Sequence, residues 1–139
     1  MSRKLALKVE PRAEELDTIT AAVEEFGDAE KWPPQLIFRV NLVLEELGLN
    51  IINHGRTDDL HEIEITLTSE PGSLTIEIVD NGLPFDPLRD APSPDLDSGV
   101  ADRAVGGLGV YLVRTMMDEM HYRRDGGRNY LTLVKELAK

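Results

Sequence analysis

The chain has 139 residues, of which 41% are hydrophobic, and this is enough apolar material for the core of one compact domain. It carries 26 acidic and 15 basic residues, a net charge of −11, and such a field repels nucleic acid and anionic membranes. The sequence contains no cysteine, which excludes disulfides and cysteine metal sites and fits a cytoplasmic protein. We predict neither a signal peptide nor a membrane span.

The first half of the chain predicts one strand and two helices. Alternating apolar residues predict a strand over 4–10, and a proline then opens a helix over about 11–26 that Gly27 ends. A second, longer helix over 33–53 begins at a pair of prolines and has Gly55 as its C-cap.

The second half predicts a hairpin, a long loop, a short helix and a second hairpin. The loop, about 86–104, is rich in proline, aspartate and serine, and it is long enough to be a lid. The order β-α-α-β-β-loop-α-β-β predicts a single α+β domain over 1–139, with helices on one face of a mixed, mostly antiparallel sheet. The predicted elements are strands 61–68 and 74–79, a helix over about 110–119, and strands 120–124 and 129–136.

A polar stripe runs along the long helix, in the segment VLEELGLNIINHG. At about 100° per residue, Glu46, Asn50 and Asn53 share one narrow stripe beside the apolar face. Polar groups at the edge of a core cost free energy unless they have partners. We expect Val40, Leu44, Leu47 and Ile51 to face the core and Asn41, Glu45 and Ile52 to face solvent.

The stripe has a functional and an ordinary interpretation. The amide oxygen of Asn50 is the kind of hard ligand that Mg²⁺ prefers, and Glu46 could accept a proton from a hydroxyl or a water. The ordinary interpretation is a satisfied polar cluster at the edge of the core.

Two further segments could carry chemistry. In VDNGLPFDP, Asp80 ends a strand before Gly82, so its carboxylate could accept a hydrogen bond from a ligand N–H; the alternative is a plain Asx turn. In VGGLGVYLVR, glycines precede a helix, where backbone N–H groups bind phosphate; the alternative is an ordinary loop.

The order of these motifs closely resembles the GHKL ATPase superfamily, which includes gyrase, Hsp90, histidine kinases and MutL. The resemblance covers about residues 36–135 and implies a Bergerat-type ATP-binding fold, a two-layer sandwich whose lid is the loop 86–104. Within the superfamily, the chain is most similar to the small stand-alone anti-sigma-factor serine/threonine kinases. The matching segments are EELGLNIINHG, DNGLPFDP and GGLGVYLVRTMMDEMHYRRDGGRNYLTLVKEL.

The resemblance also implies a role for each matching residue. Glu46 is the general base, Asn50 is the Mg²⁺ ligand, and Asp80 accepts the adenine amine next to Gly82. Pro84 departs from the family pattern, since many members have a second glycine there. The other implied nucleotide-binding residues are Asn53, the lid arginine Arg103, the phosphate-loop residues Gly107, Leu108 and Gly109, and Thr132, which supports the adenine site through water.

The implied function is an ATP- and Mg²⁺-dependent protein serine/threonine kinase that regulates transcription. It would phosphorylate a STAS-type anti-sigma antagonist and bind a sigma factor, and a homodimer is compatible with the family. Three other hypotheses stay open: a nucleotide-gated binding protein without kinase activity, a slow ATPase, and a structural domain without a ligand.

Overall fold

The computed structural model describes residues 2–54, 62–87 and 107–137. Over these residues the order of strands and helices is the one expected from the sequence. None of the described helices is long and apolar enough to cross a membrane. The elements are β1 (Arg3–Val9), α1 (Glu15–Ala29), α2 (Pro34–His54), β2 (Ile63–Glu70), β3 (Ser73–Asp80), α3 (Gly107–Met116), β4 (Glu119–Asp125) and β5 (Arg128–Glu136).

The strands form one sheet in the order β1-β2-β3-β5-β4. All four pairings between the described strands are antiparallel, so the mixed sheet expected from the sequence is corrected to an antiparallel one. Two of the pairings are hairpins, which are antiparallel by construction. Their turns require residues with positive φ, supplied by Gly72 at 88° and by Gly126 and Gly127 at 58° and 78°. The expected α+β architecture is confirmed.

The core lies between one face of the sheet and the helices. Alternate residues of β2 and β3 point into it, as in Ile65 and Ile76, and α2 contributes Leu44 and Leu47. Besides covering the sheet, α2 contacts both α1 and α3.

The contact with α1 corrects one expectation about α2. Ile52 was expected on the solvated side, but it is buried. With Leu16 of α1 and Val9 of β1, it lines the apolar space between the two helices and the sheet. A helix that packs on two sides buries a wider arc than one that covers a sheet alone.

Both ends of α1 and of α3 differ from the expectation: α1 begins at Glu15, where a start at 11 was expected, and α3 ends at Met116, where an end at about 119 was expected. Helix α1 continues past Gly27 to Ala29, and Gly27 is buried inside it. A Cβ atom at Gly27 would lie 2.7 Å from Cγ1 of Ile37, so the glycine permits close helix packing and does not end the helix. Helix α3 begins at Gly107, three residues before the expected start, and Gly55 lies outside the described residues.

Candidate functional site

Asp80, the last residue of β3, is buried on the face of the sheet that the helices cover. Only 5% of it is exposed, and it continues the inward series of Leu74, Ile76 and Ile78. Its Oδ1 accepts a hydrogen bond of 2.8 Å from the backbone N–H of Gly82 and one of 3.0 Å from Nδ2 of Asn129. Among the described residues, both hydrogen bonds to this carboxylate reach Oδ1, so Oδ2 keeps its capacity to accept.

The contact with Gly82 shows that the two sequence-based interpretations of Asp80 are compatible. One carboxylate oxygen closes an Asx-type turn, and this turn holds the start of the segment 81–87. The other oxygen remains an acceptor, because a carboxylate has two oxygens and accepts several hydrogen bonds.

Asn129, at the start of β5, contacts Asp80 and belongs to the candidate site, and the sequence-based reasoning missed it. It is 5% exposed and directly opposite Asp80 in the ladder between β3 and β5. A signal for it was present, because Asn129 has the same strand parity as the core residues Leu131 and Leu133. The alternation therefore places a polar side chain on the buried face.

Thr132 does not lie where the resemblance placed it. It is directly opposite Glu77 in β3 and His121 in β4, three positions along β5 from Asn129. Because side chains alternate between the two faces of a strand, an offset of three residues puts Thr132 on the face opposite Asp80. The register therefore contradicts a role for Thr132 beside that carboxylate, and Asn129 occupies the position.

Two side chains of β4 contact the surroundings of Asp80, one at Gly82 and one at Asn129. Arg124 donates a hydrogen bond of 2.7 Å from Nη1 to the carbonyl oxygen of Gly82. The hydroxyl of Tyr122 donates to Oδ1 of Asn129. Burial raises the pKa of Tyr122, and Asp86 and Asp80 raise it further, although a backbone hydrogen bond at Phe85 and the charge of Arg124 oppose this shift. The phenol is therefore a proton donor at neutral pH.

The three residues of the polar stripe on α2 differ in burial. Glu46 is half-buried, Asn50 is buried at 6% exposure, and Asn53 is exposed. Burial is the main cause that raises the pKa of Glu46, and the neighbouring charge of Glu45 adds to it. A raised pKa makes a carboxylate a stronger base, which is what proton abstraction from a hydroxyl requires.

The glycines expected in a loop form the first turn of α3, from Gly107 to Gly109. The first N–H groups of a helix have no partner within it, so they can bind an anion. Val110 and Val113 bury the inner side of α3. The side chain of Leu108 lies outside the described part of the structure. The same holds for Arg103 and for all of the expected lid after Pro87.

The donor groups present fit a magnesium ion that is shared with phosphates. The described residues contain no group of three or more histidines, cysteines, aspartates or glutamates that could hold a metal by themselves. Asn50 instead offers a single neutral oxygen, and Mg²⁺ in nucleotide sites takes few protein ligands and completes its shell with phosphates and water.

Residues 9–135 match the family described as a histidine kinase-like ATPase domain. The chain is 32% identical over 117 residues to the serine/threonine-protein kinase BtrW of Bordetella bronchiseptica. The alignment covers 84% of this chain and 82% of that protein. It is 28% identical over 131 residues to the serine-protein kinase RsbW of Bacillus cereus, covering 92% of this chain and 82% of the relative.

A solved structure shares the fold. The crystal structure of the RsbU and RsbW domains of a Mycobacterium tuberculosis protein superposes with a TM-score of 0.67 at 14% identity. The match covers 96% of this chain and 31% of the mycobacterial chain. At this identity, the likeness concerns the fold alone.

Proposed function

Since the chain belongs to the family of histidine kinase-like ATPase domains, we propose that it is an ATP-dependent protein serine/threonine kinase of the anti-sigma-factor type. The observation that carries the proposal is the buried Asp80, whose Oδ2 remains an acceptor on the face of the sheet that α2 covers. Helix α2 also bears Glu46 and Asn50. The names of the relatives BtrW and RsbW support kinase activity.

The nucleotide is held at its two ends. Oδ2 of Asp80 accepts a hydrogen bond from the exocyclic amine of adenine, and Gly82 leaves room for the base. The first turn of α3 donates N–H groups to the phosphates. Asn50 would hold Mg²⁺, and the ion would neutralise negative charge on the phosphates.

Glu46 is the general base in the transfer. It takes the proton of a serine or threonine hydroxyl on the protein substrate while the hydroxyl oxygen bonds to the γ-phosphorus. The bond from the γ-phosphorus to the bridging oxygen breaks, and ADP leaves with the electron pair. Most of the acceleration comes from positioning and charge neutralisation, since phosphoryl transfer requires little covalent chemistry from the protein.

The proposed substrate is a STAS-type anti-sigma antagonist, and the proposed second partner is a sigma factor. The support is the similarity of the segments around Glu46, Asp80 and Gly107 to those of the anti-sigma-factor kinases. A cytoplasmic location follows from this role, as both partners act on transcription there, and a homodimer is the expected assembly.

The experiment begins with a search for the substrate. A pull-down with ATP and then with ADP, read by mass spectrometry, identifies the partners, and phosphosite mapping identifies the substrate residue. Transfer to that substrate is then compared for the wild type, Glu46→Gln and the control Glu45→Gln. The control makes the same chemical change at the adjacent, exposed position of the helix, and it also removes the smaller of the two causes that raise the pKa of Glu46.

We expect Glu46→Gln to bind ATP with Mg²⁺ nearly as the wild type does and to slow transfer by about 10²-fold or more. Glu45→Gln should keep most of the activity. Transfer at the wild-type rate in Glu46→Gln would contradict the assignment of the base. If the wild type binds ATP but phosphorylates none of its bound partners, the protein is a nucleotide-gated binder and the kinase proposal fails.

A further inference from the structure

Asn129 uses all of its hydrogen-bonding capacity within the fold. Its Nδ2 donates to Oδ1 of Asp80 at 3.0 Å and to the carbonyl oxygen of Leu83 at 2.8 Å. Its Oδ1 accepts from the hydroxyl of Tyr122 and, at 3.5 Å, from the backbone N–H of Phe85. An asparagine side chain has two N–H donors and one oxygen with two lone pairs, so every site is occupied.

These four contacts determine which way the amide points. Reversing it would bring its oxygen against two acceptors, Oδ1 of Asp80 and the oxygen of Leu83. The same reversal would bring its nitrogen against the Tyr122 hydroxyl and the Phe85 N–H, which are donors in the observed arrangement. Asn129 therefore presents a fixed N–H donor to Asp80.

Fixed donors at Oδ1 of Asp80 leave Oδ2 as the oxygen that is available to accept a hydrogen bond from a ligand. Because the Asn129 amide and the Gly82 N–H both bind Oδ1 of Asp80, the carboxylate is held against rotation and neither donor occupies Oδ2. An acceptor held in this way binds a group with an N–H and disfavours a group with a carbonyl oxygen at the same place.

We propose that Asn129 is a positioning residue that sets the base selectivity of the nucleotide site, by holding Asp80 so that Oδ2 selects a purine with an exocyclic amine at position 6 over one with a carbonyl there. This inference rests on the proposed function, because it assumes that Asp80 meets the base. Asn129 itself acts only through Asp80 and through the segment at Leu83 and Phe85.

The selectivity is measurable with two nucleotides that differ only at position 6 of the purine and in whether the adjacent N1 carries a proton. ATP carries an amine at position 6 of the purine, and inosine triphosphate carries a carbonyl oxygen. Calorimetry with Mg²⁺ gives the affinity for each, and the ratio of the two affinities is the readout. The phosphates and the ribose are identical, so a general weakening of the site lowers both affinities and leaves the ratio unchanged.

The variants are Asn129→Ala, which removes the amide, and Asn129→Ser, which keeps one short donor. Thr132→Ala is the matched control, since it lies on the same strand but on the opposite face of the sheet. We expect the wild type to prefer ATP and Asn129→Ala to reduce that preference at least about fivefold. Asn129→Ser should recover part of it, and Thr132→Ala should keep the wild-type ratio.

A wild-type ratio in Asn129→Ala, or an equal loss of affinity for both nucleotides, overturns the inference because each outcome assigns Asn129 a structural role only. If Asn129→Ala fails to fold by circular dichroism, Asn129→Ser and Tyr122→Phe carry the test. Both must then show a reduced ratio, and a wild-type ratio in either of them overturns the inference. A wild type that binds neither nucleotide fails the proposed function itself, which is a separate result.

Discussion

At the scale of single residues, the carboxylate of Asp80 combines a structural task with the proposed recognition of adenine. A buried carboxylate is costly unless it is hydrogen-bonded, and the N–H of Gly82 and the amide of Asn129 meet this requirement at one oxygen. The other oxygen remains for a ligand. The fold therefore tolerates the charge before any nucleotide binds.

This division of tasks predicts the effect of Asp80→Asn. The two N–H donors at Oδ1 require an oxygen there, so the new NH₂ group takes the place of Oδ2 and faces the adenine amine as a second donor. We expect affinity for ATP to fall about tenfold or more by calorimetry, since a hydrogen bond to a charged group contributes about 1.5–3 kcal/mol. The control is Asp125→Asn, at an exposed position. Unchanged affinity in Asp80→Asn would remove this residue from the site.

The raised pKa of Glu46 predicts a stability difference that depends on pH. Burial first, and Glu45 second, favour the neutral form in the folded state. Below the pKa of an unfolded glutamate, Glu46 is neutral in both states and the folded state has its full stability. As the pH rises through the raised pKa of the folded state, Glu46 becomes charged and this stability is lost. At neutral pH the charged wild type is therefore less stable than a variant that is neutral throughout.

Glu46→Gln should accordingly have a higher free energy of unfolding than the wild type at about pH 7, and the difference should disappear at about pH 4. Urea unfolding at a series of pH values measures it. Glu24→Gln, on the exposed side of α1, is the control. A difference that is constant with pH would show that ionisation of Glu46 is not its cause.

At the scale of elements, two glycines in helices have opposite surroundings. A Cβ at Gly27 would meet Cγ1 of Ile37 at 2.7 Å and Cε3 of Trp32 at 3.0 Å, so both the second helix and a rigid ring oppose it. A Cβ at Gly48 would meet only Cδ2 of Leu16, at 3.0 Å, which is the end of a flexible side chain.

We therefore expect Gly27→Ala to destabilise the protein by about 1–3 kcal/mol, because overpacking exceeds the gain in helix propensity. Gly48→Ala should be neutral or stabilise the protein by up to about 1 kcal/mol, because the leucine can move aside. Chemical denaturation of both variants measures the contrast. If both lost the same stability, close packing at Gly27 would not explain why α1 continues through it.

At the scale of the whole molecule, a ligand that binds only the folded chain must stabilise it. ATP with Mg²⁺ at 100 times its dissociation constant should add about 2.7 kcal/mol to the free energy of unfolding. Chelating the metal with EDTA should remove part of this gain. The chain is strongly acidic, with a net charge of −11, so the metal also reduces repulsion between protein and phosphates.

Asn50→Ala should lose the part of the stabilisation that depends on Mg²⁺ and keep the part that does not. Thermal unfolding with ATP and Mg²⁺, and with ATP and EDTA, separates the two. Gln35→Ala, which truncates an exposed amide near the start of α2, is the control. If Asn50→Ala gained as much from Mg²⁺ as the wild type, the assignment of the metal ligand would be wrong.

The sequence by itself determined which segments are strands and helices, and it identified the strand end at Asp80, because these features depend on local periodicity and turn chemistry. The resemblance added the role of general base for Glu46 and of Mg²⁺ ligand for Asn50, and both stay predictions. Only the tertiary structure decided which residue of β5 lies beside Asp80. Alternation along a strand specifies a face but not a partner, and the partner, Asn129, is 49 residues away along the chain. The packing of α2 against α1 likewise buried Ile52, since the breadth of a helix's buried face depends on its neighbours and not on its own period.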